Sequence, residues 1–135
     1  MAVDNYLLTS TVIGILAQRL VRTLCENCKE PHVALPEIVE QMGLARFSSE
    51  KEITLYRPKG CPQCAQTGYS GRVSIMEMLP MTDPLRSLVM KHANAADLKA
   101  EAIRERMLTM YEDGMRKAVR GVTTFEEVLR VTREA

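Results

Sequence analysis

Residues 60–72 read "GCPQCAQTGYSGR": two cysteines with two residues between them, a flanking glycine, then a glycine-rich turn and an arginine. Cys61 and Cys64 supply only half of the ligands that a closed tetrahedral metal site needs. The other half lies upstream in "LCENCK", residues 24–29, where Cys25 and Cys28 repeat the C-x2-C spacing. Two intervening residues let both sulfurs of a tight turn reach one ion, and four thiolates in tetrahedral array suit Zn²⁺. Four protein ligands also leave no open position for a substrate, so the pattern points to a structural site.

Other uses of the cysteines are open to the same residues. Structural disulfides would need an oxidising compartment, yet "MAVDNYLLTS" has neither the basic n-region nor the cleavage site of an export signal. A thioredoxin-like pair follows a strand in a βαβ unit, and neither pair is so placed. His32, four positions after Cys28, competes as a ligand; beside four thiols it reads as a loop histidine. Zn²⁺ with four thiolates carries a formal charge of −2. Arg22, Lys29, Arg57, Lys59 and Arg72 are placed in sequence to offset it, and the backbone N–H groups of Gly60 and Gly68 to donate to the sulfurs.

The composition bounds what surrounds these cysteines. A chain of 135 residues makes one domain or two very small ones. Its 46% apolar content supports a core, and with no Trp and two Phe that core is aliphatic and Met-rich. Met107, Met110 and Met115 read as part of it. A net charge of +1 from 18 basic and 17 acidic residues gives no global field for nucleic acid or anionic lipid. The uncharged run Tyr6–Ala17 is well short of the roughly 20 apolar residues of a spanning helix, so direct membrane insertion is not expected.

Periodicity predicts one helix from Tyr6 to Leu24, with Leu8, Val12, Ile15, Leu16, Leu20 and Leu24 on its apolar stripe. Arg19 and Arg22 fall outside that stripe and share a helical face. A short helix follows Pro36 and stops at Gly43, and residues 45–52 read as a loop. "ITLYRP" and "RVSIMEML" read as strands flanking the second cysteine pair, pairing with each other or with a sheet outside this sequence. Further helices are expected after Thr82 or Asp83, after Asn94 to about Met107, and from Thr109 to Arg120. Thr124 to Glu127 form a capping box that opens the last. The fold class is mainly α with a small β component (α+β): a zinc-stapled subdomain followed by a bundle of short helices. No P-loop, G-x-G-x-x-G or H-E-x-x-H occurs, and Glu77 and Asp83 are lone carboxylates. No catalytic residue is expected.

Three motifs in order, "LLTSTVIGILAQRLVRTLCENC", "GCPQCAQTGYSGRVSIMEML" and "EDGMRKAVRGVTTFEEVLRVT", resemble the C-terminal part of bacterial type II secretion and type IV pilus assembly ATPases. The resemblance covers most of the chain except about residues 34–53. It implies that residues 1–24 hold the final helix of a RecA-like ATPase domain. Residues 25–72 would be a tetracysteine zinc-binding subdomain with Cys25, Cys28, Cys61 and Cys64 as ligands. Residues 73–135 would be a strand returning to the core and a C-terminal helical subdomain. The family's nucleotide motifs have no counterpart here, so ATP and Mg²⁺ would belong to the longer parent. That parent would be a cytoplasmic hexamer, peripheral at the bacterial inner membrane. The implied partners are the rest of the ATPase, neighbouring subunits of its hexamer, and inner-membrane platform proteins. Arg19 and Arg22 are the candidate interface or coupling residues. One departure is local: where the family commonly has Gly before its Met-x-Thr/Ser-Leu turn, this chain has Arg106, which resists positive φ and leaves a continuous helix open. The alternatives are a free-standing zinc ribbon that binds nucleic acid and a thiol–disulfide enzyme. The first lacks a basic, aromatic-interleaved surface.

Overall fold

The computed structural model describes residues 5–49 and 51–132. The fold is α+β, as expected, and divides into two compact units, Met1–Ala17 with Met76–Thr109 and Gln18–Ile75 with Met110–Ala135. The described elements are α1 (Asn5–Thr11), β1 (Gly14–Leu24), β2 (Glu30–Val33), α2 (Pro36–Met42), β3 (Thr54–Arg57), β4 (Tyr69–Pro80), α3 (Asp83–Met90), α4 (Ala95–Arg104), α5 (Met110–Val119) and α6 (Phe125–Thr132). Short 3₁₀ turns cover Leu44–Phe47, inside the expected loop, and Pro62–Cys64.

The helix expected over residues 6–24 is a correction. Only α1 is helical, and Gly14–Leu24 is a strand hydrogen-bonded to β4. Leu16, Leu20 and Leu24 recur every fourth residue, and a spacing of four satisfies a period of two as well as one near 3.6. Val12 and Ile13 are β-branched and Gly14 follows, which tips the local preference away from helix. A strand also alternates its faces, so Arg19 and Arg22 lie on opposite sides rather than sharing one.

The strand pairing is a second correction. β3 pairs antiparallel with β2 in the register Glu30↔Arg57, Pro31↔Tyr56, His32↔Leu55 and Val33↔Thr54. β4 pairs with β1. The two strands read from sequence therefore do not pair with each other, and each has a partner within the chain. Each finds a partner in a segment expected to be helix or loop.

The larger unit packs around Val21, Leu44, Ile75, Met115 and Val128, all fully buried. Helix α5 lies against α6 and β3, and Tyr111 Oη donates to the Met42 carbonyl at 2.6 Å. The approach of α5 to α6 depends on Gly114: a Cβ there would lie 2.5 Å from Val128 Cγ1. Helix α2 ends at Gly43 and α5 stops before Gly121, as expected. Met110 and Met115 are core residues.

In the smaller unit α1 packs on α3, where Asn5 Nδ2 donates to the Val89 carbonyl at 2.7 Å and Arg86 Nε to the Thr9 carbonyl at 3.1 Å. Leu85 and Ala102 are the buried contacts of α3 and α4. Asn94 caps α4 by accepting from the Asp97 N–H at 2.8 Å. No described helix is long and apolar enough to cross a membrane.

Helix α4 ends at Arg104, and Arg106 takes a left-handed φ of 67°. The Arg106 N–H reaches the Ile103 carbonyl at 2.9 Å and the Met107 N–H the Ala102 carbonyl at 3.0 Å, which closes a Schellman turn. The break near Met107 is therefore present, with an arginine in the position glycine favours. Arg106→Gly is expected to stabilise the chain by about 0.5–1 kcal/mol, because relief of the left-handed strain exceeds the added unfolded-state entropy. Chemical denaturation of the two proteins measures it, and a destabilised glycine variant would contradict the turn.

Candidate metal centre

The first knuckle forms where β1 ends. The Lys29 N–H reaches the Cys25 carbonyl at 3.0 Å, which curls residues 25–29 and turns Cys25 and Cys28 to one side. The second is the 3₁₀ turn Pro62–Cys64, followed by Ala65 and Gln66 in left-handed conformation. A backbone hydrogen bond ties the knuckles together: the Cys25 N–H donates to the Gly68 carbonyl at 2.9 Å.

The ligand atoms of Cys25, Cys28, Cys61 and Cys64 all lie within 4.8 Å of one another. The Sγ–Sγ separations are 3.8 Å for Cys25–Cys61, 3.8 Å for Cys28–Cys64 and 3.7 Å for Cys61–Cys64. A tetrahedron with zinc–sulfur bonds of about 2.3 Å has edges of about 3.8 Å. The donor set therefore fits a tetrahedral thiophilic ion in both chemistry and size. Cys25, Cys28 and Cys64 are buried and Cys61 half-buried.

Backbone donors surround the sulfurs. Gly60 N–H points to Cys28 Sγ at 3.4 Å, and Gly68 N–H to Cys64 Sγ at 3.2 Å, the two contacts expected from the sequence. Cys61 N–H adds a second bond to Cys64 Sγ at 3.2 Å, and Asn27 Nδ2 donates to Cys61 Sγ at 3.3 Å. Gly68 cannot be replaced freely: its φ is +82°, and a Cβ would lie 2.3 Å from Pro58 Cβ.

These donors divide the thiols. Burial pushes Cys28 up to about 11, its single Gly60 donor being too little to offset it. Burial opposes ionisation of Cys64 too, but the N–H groups of Cys61 and Gly68 outweigh it and bring that thiol down to about 6. Cys61 is lowered by Asn27 first of all. Cys64 is thus held ready as a thiolate, and Cys61 is shifted in the same direction.

Of the cations expected to offset the thiolate charge, Arg22, Lys29 and Lys59 are paired with other groups. Lys29 Nζ donates to the Gly121 carbonyl and to Glu26 Oε1, each at 2.9 Å, and sits 5.0 Å over the Tyr56 ring. Lys59 pairs with Glu30. His32 lies in β2 rather than a loop and stands outside the sulfur cluster, with Nδ1 buried and without a hydrogen-bond partner among the described residues.

Arg22 ion-pairs with Glu127 of α6, whose carboxylate is 1% exposed, and Arg130 Nε donates to the other carboxylate oxygen at 2.8 Å. Burial opposes ionisation of Glu127, but the two arginines outweigh it and hold its carboxyl below the ordinary range. Thr124 Oγ1 accepts from the Glu127 N–H at 3.2 Å, so half of the capping box is present; the carboxylate goes to the arginines instead of back to Thr124. Thr123 Oγ1 donates to the Arg22 carbonyl at 2.7 Å, and the Leu24 N–H to the Val122 carbonyl at 2.9 Å. The knuckle-bearing strand is thereby fastened to the turn before α6. Arg19 is exposed.

Four convergent thiols on an α+β scaffold form a site that could hold one metal ion. The chain belongs to the family described as Type II/IV secretion system protein, whose signature matches residues 1–130. It is 51% identical over its full length to type II secretion system protein E of Xanthomonas campestris pv. campestris, covering 24% of that protein. It is 41% identical over its full length to type II secretion system ATPase E of Vibrio cholerae, covering 26%. Over 99% of the chain it is 42% identical to type IV pilus assembly ATPase PilB of Thermus thermophilus, covering 15%. The chain thus spans a quarter or less of the length of two of these relatives, and 26% of the third.

Proposed function

We propose that this chain is the zinc-binding and helical C-terminal portion of a hexameric ATPase that powers type II secretion or type IV pilus assembly. Its own part is structural and coupling. The observation that carries this reading is a four-sulfur cluster of tetrahedral size in a chain of the secretion family. Cys25, Cys28, Cys61 and Cys64 hold the zinc, which supplies cross-linking and no reaction step. Residues 1–24 close the RecA-like domain, 25–72 form the zinc subdomain, and 73–135 return to the core and form the helical subdomain. Family membership favours this reading over a nucleic-acid-binding zinc ribbon.

ATP and Mg²⁺ belong to the remainder of the parent, which is cytoplasmic and peripheral at the inner membrane. The partners are that remainder, neighbouring subunits of its hexamer, and inner-membrane platform proteins. Arg19, exposed on β1, is the contact residue toward them, whereas Arg22 couples its strand to α6 through Glu127. The chain on its own is expected to neither bind ATP at micromolar concentration nor hydrolyse it, because it has no glycine-rich loop joined to Lys and Ser or Thr. The full-length parent is expected to do both. Calorimetry and a phosphate-release assay on the two proteins test the assignment. Turnover by the chain alone, or an inactive parent, would overturn it.

A further inference from the structure

Three arginines from three separate elements line one cleft of about 490 Å³ in the larger unit: Arg22 on β1, Arg72 on β4 and Arg130 on α6, together with Leu20. A single carboxylate answers them. Both oxygens of Glu127 are taken, Oε1 by Arg22 and Oε2 by Arg130. Each arginine reaches it through Nε, and among the described residues no hydrogen bond engages the terminal nitrogens of either. The Arg72 guanidinium has no ion pair or hydrogen bond among the described residues. A neighbouring cleft of about 240 Å³ is lined by Arg22 and Arg72 again, with Thr67, Tyr69 and Gly71. A Cβ added at Gly71 would meet nothing within 4 Å, so that approach is open.

Three guanidinium groups against one carboxylate leave a local excess of positive charge in a chain whose net charge is only +1. Like charges held together repel unless an anion joins them. The buried carboxylate fixes two of the arginines, and Tyr69 lies 4.1 Å from the Arg22 guanidinium, so their conformations are set before any ligand arrives. Guanidinium forks with free terminal N–H groups match the oxygens of a phosphate. We propose that the Arg22–Arg72–Arg130 cleft binds a phosphate-class anion, either free in solution or as the phosphomonoester headgroup of a lipid. The site is separate from the sulfur cluster and does not depend on the motor reading.

The test uses the reduced full chain. Titration with inorganic phosphate, followed through the arginine Nε–H resonances, is expected to give saturable shifts at Arg22, Arg72 and Arg130. Arg72→Gln removes no side-chain hydrogen bond or ion pair among the described residues, and the fold is expected to survive it. It is expected to weaken binding at least ~10-fold, the scale of one lost charge-assisted contact. Lys59→Gln, which removes a cation paired with Glu30, is expected to leave binding unchanged. Sedimentation with phosphatidic acid vesicles, against phosphatidylcholine vesicles, separates the sources. Phosphate binding without vesicle retention assigns a soluble phosphate, and retention lost in Arg72→Gln assigns the headgroup; either supports the cleft. No saturable shift together with no retention, or equal losses from Arg72→Gln and Lys59→Gln, overturns it.

Discussion

Protein purified under reducing conditions without added metal is expected to carry one zinc per chain, and stripping that zinc is expected to unravel the larger unit. The sulfurs sit at tetrahedral spacing, and apart from an ion the two knuckles are joined by hydrogen bonds from Cys25 N–H to the Gly68 carbonyl, Asn27 Nδ2 to Cys61 Sγ and Gly60 N–H to Cys28 Sγ. Without the ion, the ends of the segment from Lys29 to Gly60 are left to those hydrogen bonds and to Lys29 Nζ on the Gly121 carbonyl. Structural zinc sites contribute about 10–16 kcal/mol at neutral pH. That equals or exceeds the roughly 5–15 kcal/mol by which whole domains are stable. Loss should therefore be seen as unfolding rather than loosening. Falling pH acts in the same direction, because all four ligands must be deprotonated. Cys28, pushed up to about 11 by burial, loses its proton to solvent at neutral pH only when a metal takes its place on the sulfur. Elemental analysis and hydrogen exchange before and after chelation check this. Amides in β2 and β3 should lose protection first, and those of α1, α3 and α4 should change least. A metal ratio near zero in folded, reduced protein would remove the zinc assignment.

Much of the centre was legible because its information is local. A C-x2-C pair is a knuckle wherever it occurs, and two pairs in one chain require only that the fold bring them together. Asn94 and the stop at Gly43 were legible for the same reason, since a cap acts within one turn of its own residue. What could not be read was whatever depends on a distant partner. β1 looked helical because its leucines recur every fourth residue, and only β4 decides between the periods. β2 is four residues long and contains Pro31, which demotes any strand reading until β3 is seen beside it. Glu127 read as a cap because its main ion-pair partner, Arg22, lies 105 positions away in sequence. Its burial beside two arginines carries no signal in the string "TTFEEV".

Arg22→Ala is expected to destabilise the chain more than Glu127→Gln, although both break the same pair. The asymmetry follows from burial: the Glu127 side chain is 1% exposed, while Arg22 and Arg130 are 52% and 58% exposed. Taking away Arg22 leaves a buried carboxylate with one partner. An uncompensated buried charge costs about 3–5 kcal/mol. Arg130 remains and solvent screens the exposed side of the pair, so about 2 kcal/mol is the expected loss. Taking away the charge on Glu127 instead returns two half-exposed guanidiniums to water and leaves an amide of the same shape, at a cost of about 1 kcal/mol. The two variants also part in their response to acid. The folded-state pKa of Glu127 lies below its ordinary value of 4.5, so its ion pairs stabilise fully above that value. Their contribution fades as pH falls through the lower, folded value. Glu127→Gln should abolish this share of the acid sensitivity. Arg22→Ala should shift it to higher pH, since the carboxyl loses the guanidinium that lowers it. Urea denaturation of the three proteins at neutral pH and near pH 4 separates the outcomes, with metal release common to all of them. Equal pH dependence in the parent chain and the glutamine variant would mean that Glu127 is held neutral, and the pairing with Arg22 and Arg130 would lose its electrostatic role.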